Sequence, residues 1–440
     1  MLKKKLHERL LPKQKRIIRN NYLILKSLEN YTCNIDEINN IGFLSSRISV
    51  KGKEFYLKQK ALDSMNVIVD FVSEEYKRTL GYDDVYKVLK NIIESDFNES
   101  NEKTEDDFIN QLEISLNNIV HVYRFVCRVE GLALSNKNNY KLGNFVLKHF
   151  SDNYYERIKD DEIRKAIDLE FKDKLIITGV AKGSEDYALK KFYNDADLSL
   201  SILRLYSIAF FTKAISEINL RIINNDRMAY KPALSFGWIE GGDYGFTLIK
   251  KIQSKQDLPI NREFIRFIES NFFHEIVTLI NKESRNEIEE ALLKSIFWIG
   301  EAQKDNVTSS SYVKLWYAVE SIFSKNNEEL TEKNAIGISS ILIYGGYRHE
   351  DFDDYNEIKK RIIKYYKIRC KIAHRAEYQN VSKELLQEFS YITSWLIIGI
   401  ASLLPRGYMT LDQIYEQIDR LDVIENKIMK KKLINTRQCN

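Results

Sequence analysis

The amino-acid sequence predicts a mainly helical protein in which an α+β N-terminal domain precedes an all-α helical bundle. Only 4 prolines and 17 glycines occur among 440 residues, and so few breakers favour helices over an all-β fold. Alternating apolar patterns are confined to the first 258 residues, whereas helical spacing of apolar residues is continuous after Pro259. We therefore expect two domains, residues 1–258 and residues 259–440.

Residues 2–30 are predicted to form a helix that breaks or kinks at Pro12. The first twenty residues contain a single acid, Glu8, and a set of basic side chains. These cations are compatible with a solvated helix face or with a contact to phosphates. The basic residues are Lys3, Lys4, Lys5, Arg9, Lys13, Lys15, Arg16 and Arg19.

Residues 54–95 have apolar side chains at mixed three- and four-residue spacing, which predicts further helix. An acidic run follows within residues 94–107, where Phe97 is the one apolar residue and Lys103 the one cation. Such a composition predicts a mobile surface loop. The run lacks the glycine-containing pattern of a calcium loop, so we do not expect a metal site there.

Strands are predicted in three places before the helical bundle. Residues 121–148 contain two alternating runs around a polar turn, which predicts a β-hairpin. Residues 175–180 predict another strand, and residues 187–215 return to helical spacing. Residues 228–249 hold a Glu-Gly-Gly-Asp turn between two alternating runs and predict a second hairpin. That turn lacks the spacing of a phosphate-binding P-loop.

The C-terminal domain is predicted to contain seven helices with short connections, which favours an antiparallel bundle. Thr308, Thr331 and Thr410 are suitable helix-capping residues, and Pro405 ends the penultimate helix. The predicted helices are residues 261–281, 285–303, 309–325, 331–344, 354–376, 382–404 and 410–432.

Composition argues against several classes of protein. The 67 basic and 63 acidic residues give a net charge of +4, which does not by itself indicate a nucleic-acid-binding protein. Four cysteines without a CxxC pair provide no zinc site or disulfide framework. The N-terminus lacks a secretory signal, and the longest apolar run, residues 392–404, is shorter than the ~20 residues that span a bilayer. We expect a soluble cytoplasmic protein with no membrane anchor, metal or cofactor.

Residues 358–377 contain the most informative charged residue. Arg369 lies in an apolar stripe, between Tyr366 and Ile372, and a buried charge must be paired. His374 follows five residues later, about 140° further round the helix. In a purely structural interpretation, Arg369 pairs with a core acid such as Glu320, and His374 is an ordinary histidine at a helix end.

Two motifs lie on separate predicted helices. Residues 311–323 read SYVKLWYAVESIF, and a second helix carries a Tyr-x-x-Arg-x-x-x-x-His arrangement. This order closely resembles the Apea-like branch of the HEPN (higher eukaryotes and prokaryotes nucleotide-binding) superfamily, over about residues 285–405. The matching residues are Trp316, Ala318, Val319, Glu320, Ile322, Phe323, Tyr366, Arg369, Cys370, Ile372 and His374. Cys370 departs from the small polar residue that is common there, and Arg375 departs from a common glycine.

The resemblance implies a metal-independent endoribonuclease in which two chains form a homodimer and share one cleft. The 2′-hydroxyl of RNA would be the nucleophile, leaving a 2′,3′-cyclic phosphate and a 5′-hydroxyl. His374 would be the general acid or base, and Arg369 would bind the scissile phosphate. Glu320 would orient Arg369, Tyr366 would line the cleft, and Cys370 would lie in the supporting shell.

Further expectations concern partners. Lys367, Lys371 and Arg375 would add positive charge for RNA, which could be tRNA. By resemblance, the protein would act as a toxin or antiviral-defence effector. By elimination, the N-terminal domain would be a sensor or regulator that responds to a trigger ligand or protein. The alternative is a non-catalytic HEPN module that binds RNA or a partner protein.

The remaining candidates carry weaker signals. His121, His149 and His274 are predicted to be core or boundary residues. The polar residues 348–351 are predicted to form a solvated loop that could edge the cleft. The basic tail, residues 427–437, is interpreted as the last turns of a helix or as a further RNA contact.

Overall fold

The computed structural model describes most of the chain. The described residues are 6, 10–34, 47–99, 104–135, 139–151, 158–223, 234–237, 248–251, 256–323, 330–345, 349–350, 354–375 and 381–438. The helices among them are α1 (Pro12–Lys26), α2 (Gln59–Tyr76), α3 (Tyr82–Glu99), α4 (Glu105–Asn118), α5 (Asp161–Phe171), α6 (Glu185–Phe210), α7 (Ala214–Glu217), α8 (Arg262–Glu269), α9 (Phe273–Leu279), α10 (Glu287–Lys304), α11 (Thr308–Phe323), α12 (Leu330–Tyr344), α13 (Tyr355–Arg375), α14 (Lys383–Ala401) and α15 (Leu411–Gln438).

The described strands all precede helix α8 in the chain. They are β1 (Tyr31–Thr32), β2 (Arg47–Val50), β3 (Lys53–Leu57), β4 (His121–Glu130), β5 (Leu132–Leu134), β6 (Tyr140–Leu142), β7 (Phe145–His149), β8 (Leu175–Gly183), β9 (Arg221–Ile222), β10 (Leu234–Gly237), β11 (Leu248–Lys251) and β12 (Leu258–Ile260). The predicted fold class, α+β followed by all-α, is confirmed. One predicted helix, residues 261–281, is instead two helices, because Phe272 adopts a left-handed backbone conformation with φ 60° between α8 and α9.

Contacts divide the chain into two units, the first of which consists of Met1–Phe125 and Val180–Tyr193. Helices α1 to α4 supply most of its buried apolar core. Strands β1, β3 and β2 form a small antiparallel sheet that the sequence patterns did not predict. Tyr22 of α1 stacks on Phe108 of α4 with ring centroids 3.9 Å apart.

Of two N-terminal predictions, one is confirmed and one needs correction. The predicted break at Pro12 is present, because Leu6 is helical and α1 begins at Pro12, where a proline lacks no needed hydrogen bond. The acidic run is not one loop, because residues up to 99 end α3 and residues from 105 begin α4. Asp96 within it is buried and accepts a hydrogen bond of 2.7 Å from the Tyr22 hydroxyl. Arg19 of the basic segment pairs with Asp106 on α4, which agrees with the interpretation of these cations as a solvated helix face.

The second unit consists of Val126–Gly179 and Asn194–Asn440. A five-stranded sheet has the order β6-β7-β8-β4-β9. The strands predicted within residues 121–148 are present, but their predicted pairing is wrong. Strands β6 and β7 form their own hairpin at Gly143, whereas β4 pairs with β9 and β5 pairs in parallel with β12. The second predicted hairpin is confirmed as β10 and β11, although its glycine turn lies outside the described residues.

The second unit contains a buried polar cluster between α6 and α10. Arg204 is fully buried, and its Nη2 donates a hydrogen bond of 2.9 Å to Asp197. Lys304 of α10 donates to the other Asp197 oxygen at 2.8 Å. Although burial acts to raise the pKa of Asp197, these two cations hold it well below its usual range. A Cβ at Gly300 would lie 2.1 Å from Ser201 Oγ, so the helices approach closely.

The predicted domain boundary near residue 258 does not coincide with a boundary between the two units. Strand β12 begins at Leu258 and pairs with β5, and Gln303 of α10 donates a hydrogen bond to Ser207 of α6. The helical region after residue 259 therefore shares a core with parts of the preceding sequence. A sensor role for the N-terminal region stays a prediction.

Helix α14 packs against α10, α11 and α12. The stretch Lys383–Arg406 is the one part of the described chain that is long and apolar enough to cross a membrane. However, 78% of its most apolar window is buried inside the fold. The apolar run at 392–404 is thus largely buried, as predicted for a core helix.

The polar residues 348–351 were predicted to form a solvated loop, and this is wrong for His349. Its ring stacks on Trp395 of α14 with centroids 4.5 Å apart, and its side chain is only 13% exposed. Burial lowers the pKa of His349 to about 4. Arg348 and Asp351 lie outside the described residues.

We predict that His349 makes the fold sensitive to mild acid. Between pH ~6.5 and ~4 the unfolded chain binds a proton at His349 that the folded chain excludes, so stability falls as the pH falls. A His349→Phe variant keeps the stacking and should lose about 2 kcal/mol less unfolding free energy than wild type between pH 7 and 4.5. Urea unfolding at both pH values measures this.

The control is His274→Phe, because His274 is exposed in the same unit. That substitution should leave the pH dependence as in wild type. An equal loss of stability in the His349→Phe variant and in wild type would contradict a buried neutral imidazole.

Candidate functional site

The candidate site lies where α11, α13 and α14 meet in the second unit. The Trp316 ring of α11 is fully buried and stacks on Phe389 of α14, with centroids 4.6 Å apart. It meets Tyr366 of α13 edge-on at 5.0 Å. One turn before Trp316, the Tyr312 hydroxyl donates a hydrogen bond of 2.8 Å to the carbonyl of Tyr365, the residue next to Tyr366. The two predicted motifs are therefore packed against each other.

One turn after Trp316, Glu320 pairs with Arg369. Arg369 Nη2 lies 2.9 Å from one Glu320 carboxylate oxygen and donates a hydrogen bond of 3.2 Å to the other. The side chains are 16% and 15% exposed, so the pair is near the surface but mostly shielded. The pairing agrees with the structural interpretation of the sequence and equally with the supporting role predicted for Glu320.

The Arg369–Glu320 pair leaves polar atoms without partners. Within the described part of the chain, Arg369 Nε has no acceptor and Glu320 Oε1 has no hydrogen bond of good geometry. Burial raises the pKa of Glu320, and Arg369 only partly opposes that rise. A buried ion pair in this state contributes little net stability. Because Nε is itself buried, an anionic ligand would meet the exposed part of the guanidinium rather than this unpaired donor.

Tyr366 and Cys370 flank Arg369 on α13. The Arg369 guanidinium carbon lies 5.5 Å from the centre of the Tyr366 ring, close enough for a cation–π contact. Tyr366 is buried, and burial raises its pKa although Arg369 acts against the rise. The structure therefore places Tyr366 in the core wall beneath the pair. Cys370 is half-buried, with a free thiol.

His374 lies apart from Arg369 in the single chain. The α13 helix is regular, so the two side chains leave it about 140° apart, and His374 is exposed. Lys367 and Lys371 lie on the same outer side as His374, and Arg375 is also exposed. The structure thus brings together Arg369, Glu320 and Tyr366, and does not bring His374 to them.

Sequence reasoning missed part of this outer surface. Lys360 and Lys364 extend the line of Lys367 and Lys371, and all four are exposed. Their spacing of four, three and four residues places them on one side of a helix, and the sequence alone contains this signal. We call these four residues the lysine ridge.

The last turn of α13 has an uncovered inner side. Ala373 follows Tyr366 and Arg369 on the side that faces the core, yet Ala373 is exposed and Ile372 is only half-buried. Earlier residues on this side, such as Ile362, are buried. The apolar side of α13 therefore continues beyond the part of the bundle that the described residues cover.

The other candidates lie elsewhere. His121, His149 and His274 are exposed rather than in the core. Residues 427–437 belong to α15, as predicted for the last turns of a helix. Among the described residues, no three His, Cys, Asp or Glu side chains are grouped as metal ligands would be.

Comparison of the chain with protein-family models, curated proteins and solved structures finds no match. The resemblance to HEPN proteins consequently rests on the two helical motifs alone.

We predict that Glu320 and Arg369 are energetically coupled. In a double-mutant cycle with Glu320→Ala and Arg369→Ala, the coupling energy should be about 1–2 kcal/mol, because the pair is shielded but only one guanidinium nitrogen is engaged. Chemical unfolding of the four proteins measures it. Arg361 and Glu388 form an exposed pair on the neighbouring surface and provide a matched cycle with a coupling energy below about 1 kcal/mol. Equal coupling in both cycles would contradict the shielded pair.

Proposed function

We propose that the C-terminal helical region is a HEPN-type, metal-independent endoribonuclease that acts as a homodimer. The observation that carries the proposal is Arg369, whose guanidinium is held by Glu320 and remains partly exposed, on the same helix as an exposed His374. A fixed, partly exposed cation is suited to a phosphate, and an accessible imidazole is suited to proton transfer.

The chemistry requires only groups that this chain and RNA supply. Deprotonation of the 2′-hydroxyl allows its oxygen to attack the adjacent phosphorus, and the 5′-oxygen leaves with a proton. His374 would transfer a proton in one of these steps. Arg369 would stabilise the added negative charge on the phosphate oxygens. Glu320 would keep the guanidinium in place as the charge develops.

A single copy of the chain does not place its own His374 beside its own Arg369. Two copies could build a composite cleft if the exposed inner side of the last α13 turn, at Ala373, is the contact. Burying Ala373 and Ile372 against a second copy would continue the apolar side of α13. The dimer in this proposal therefore has a structural reason beyond the resemblance.

The second candidate is a non-catalytic HEPN module that binds RNA or a protein. The angle of about 140° between Arg369 and His374 favours it, because the two side chains do not converge within one chain. The lysine ridge would then be the binding surface for phosphates. A cleavage assay separates the two candidates.

We predict cleavage of RNA in EDTA. Arg369→Ala and His374→Ala should each lower the rate constant by about 10²–10³-fold or more, because each removes a group that acts in the transition state. Cleavage of a labelled RNA pool on denaturing gels, with mapping of the 2′,3′-cyclic phosphate ends, measures this. Arg262→Ala and His274→Ala are matched controls at exposed positions in the same unit and should retain wild-type rates.

The catalytic proposal fails if cleavage persists in both site variants or disappears with the chelator. RNA binding without any cleavage would support the non-catalytic module.

We also predict that Ala373→Glu converts a dimer to a monomer. A charge on the inner side of the last α13 turn would lose its hydration in a dimer, whereas in the monomer the position is exposed. Sedimentation velocity should therefore show a dimer for wild type and a monomer of unchanged stability for the variant. Lys360→Glu, on the opposite side of α13, should remain dimeric. A wild-type chain that stays monomeric at high concentration would contradict the composite cleft.

A further inference from the structure

Three aromatic side chains form a continuous surface patch beside the Arg369–Glu320 pair. Phe297 and Trp298 of α10 have ring centroids 5.2 Å apart, and Trp298 lies 4.9 Å from Tyr317 of α11. Phe297 is 43% exposed and Tyr317 is 39% exposed, whereas Trp316 next to it is fully buried. We call Phe297, Trp298 and Tyr317 the aromatic patch.

The aromatic patch adjoins the candidate site because of the helix geometry. Tyr317 and Glu320 are one turn apart on α11, a rise of about 4.5 Å. The α10–α11 hairpin is antiparallel, because Ser311 Oγ donates to the Ala302 carbonyl at 2.6 Å and Ser295 Oγ donates to the Ala318 carbonyl at 2.7 Å. The exposed Lys294, one turn before Trp298, therefore lies toward the Glu320 end of the patch.

The charge around the aromatic patch favours a polyanion. Two acids on the neighbouring surface are already paired: Glu301 contacts Lys304, and Asp305 accepts a hydrogen bond of 2.7 Å from Lys314. The charges of Glu301 and Asp305 are largely offset by these lysines. Lys294, which is exposed at one end of the aromatic patch, therefore makes the local charge positive. Stacking surfaces next to cations are the usual means of binding unpaired nucleotides.

We infer that the aromatic patch binds unpaired bases of a single-stranded RNA segment, next to the phosphate held at Arg369. The inference rests on the proposed function and specifies its substrate as unpaired RNA. Successive bases would stack on the exposed faces of Tyr317 and Phe297, with Trp298 between them. Bases in a duplex are already stacked and paired, so a duplex would gain nothing from the patch.

A second protein surface fits the patch less well. Aromatic side chains each provide about 150–250 Å² of surface, so three that are partly exposed present no more than roughly 200–300 Å². A stable protein interface buries about 800 Å² on each partner. The patch is also surrounded by Lys294, Glu301 and Ser321 rather than by further apolar residues.

The test measures binding separately from cleavage. The probe is a single-stranded oligodeoxynucleotide of about twelve nucleotides, which lacks the 2′-hydroxyl that the proposed reaction needs. Tyr317→Ala and Phe297→Ala should each weaken its Kd about five- to tenfold, whereas Tyr317→Phe should keep wild-type affinity because the ring remains. Binding should quench tryptophan fluorescence, and Trp298→Phe should remove most of the quenching.

The matched control is Tyr82→Ala, because Tyr82 is 42% exposed in the other unit and should not affect binding. Wild-type affinity in both alanine variants, or no binding of the probe by wild type, would overturn the inference even if RNA is cleaved. Binding that depends on the patch, in a protein that cleaves no RNA, would support the inference and refute the catalytic proposal. Equal affinity for a duplex of the same length would also count against the patch.

Discussion

The buried ring of Trp316 is the constraint on which the candidate site depends. It stacks on Phe389 of α14 and meets Tyr366 of α13 edge-on, so it fixes the rotation of α11 against both helices. Once Trp316 faces inward, Glu320 one turn later meets Arg369, and Tyr317 must face outward. Packing of one aromatic side chain thus positions both the ion pair and the aromatic patch.

Two mostly buried arginines show how polar groups differ inside this unit. All three nitrogens of Arg204 donate hydrogen bonds, to Leu220, Ser201 and Asp197, and the guanidinium is fully enclosed. Arg369 engages Glu320 through Nη2 alone and reaches the surface. The burial of Arg204 is explained by structure alone, because each of its nitrogens replaces a lost hydrogen bond to water with one inside the protein. An incompletely paired one costs stability, which favours a role in ligand binding.

The sequence predicted the C-terminal helices well and the sheet pairing poorly, for physical reasons. Apolar spacing is a local property of one helix, and so α10 to α14 were predicted to within three residues of their ends, whereas α15 extends six residues beyond its predicted end. Strand pairing depends on distant partners, and nothing local indicated that β5 would pair with β12. The Arg369–Glu320 contact was predictable from the apolar stripes. Arg369 follows Tyr366 by about one turn, and Glu320 follows Trp316 by about one turn, so each charged residue lies on the apolar side of its helix. The aromatic patch was not, because periodicity alone did not show which side of α10 would remain uncovered.

The near balance of charge in the whole chain does not exclude RNA binding. Salt screens exposed charges over a Debye length of ~8 Å, so a bound phosphate interacts mainly with nearby charges. Lys360, Lys364, Lys367 and Lys371 are spread over about 16 Å of one helix side, so a bound strand would meet several of them together. Many acids are instead paired locally, as Asp197 is with Arg204 and Lys304. A net charge of +4 is therefore compatible with a strongly cationic α13. The lysine ridge and the Arg369 guanidinium lie on different sides of that helix, so one strand can contact both only if it crosses the exposed end of α13 near His374.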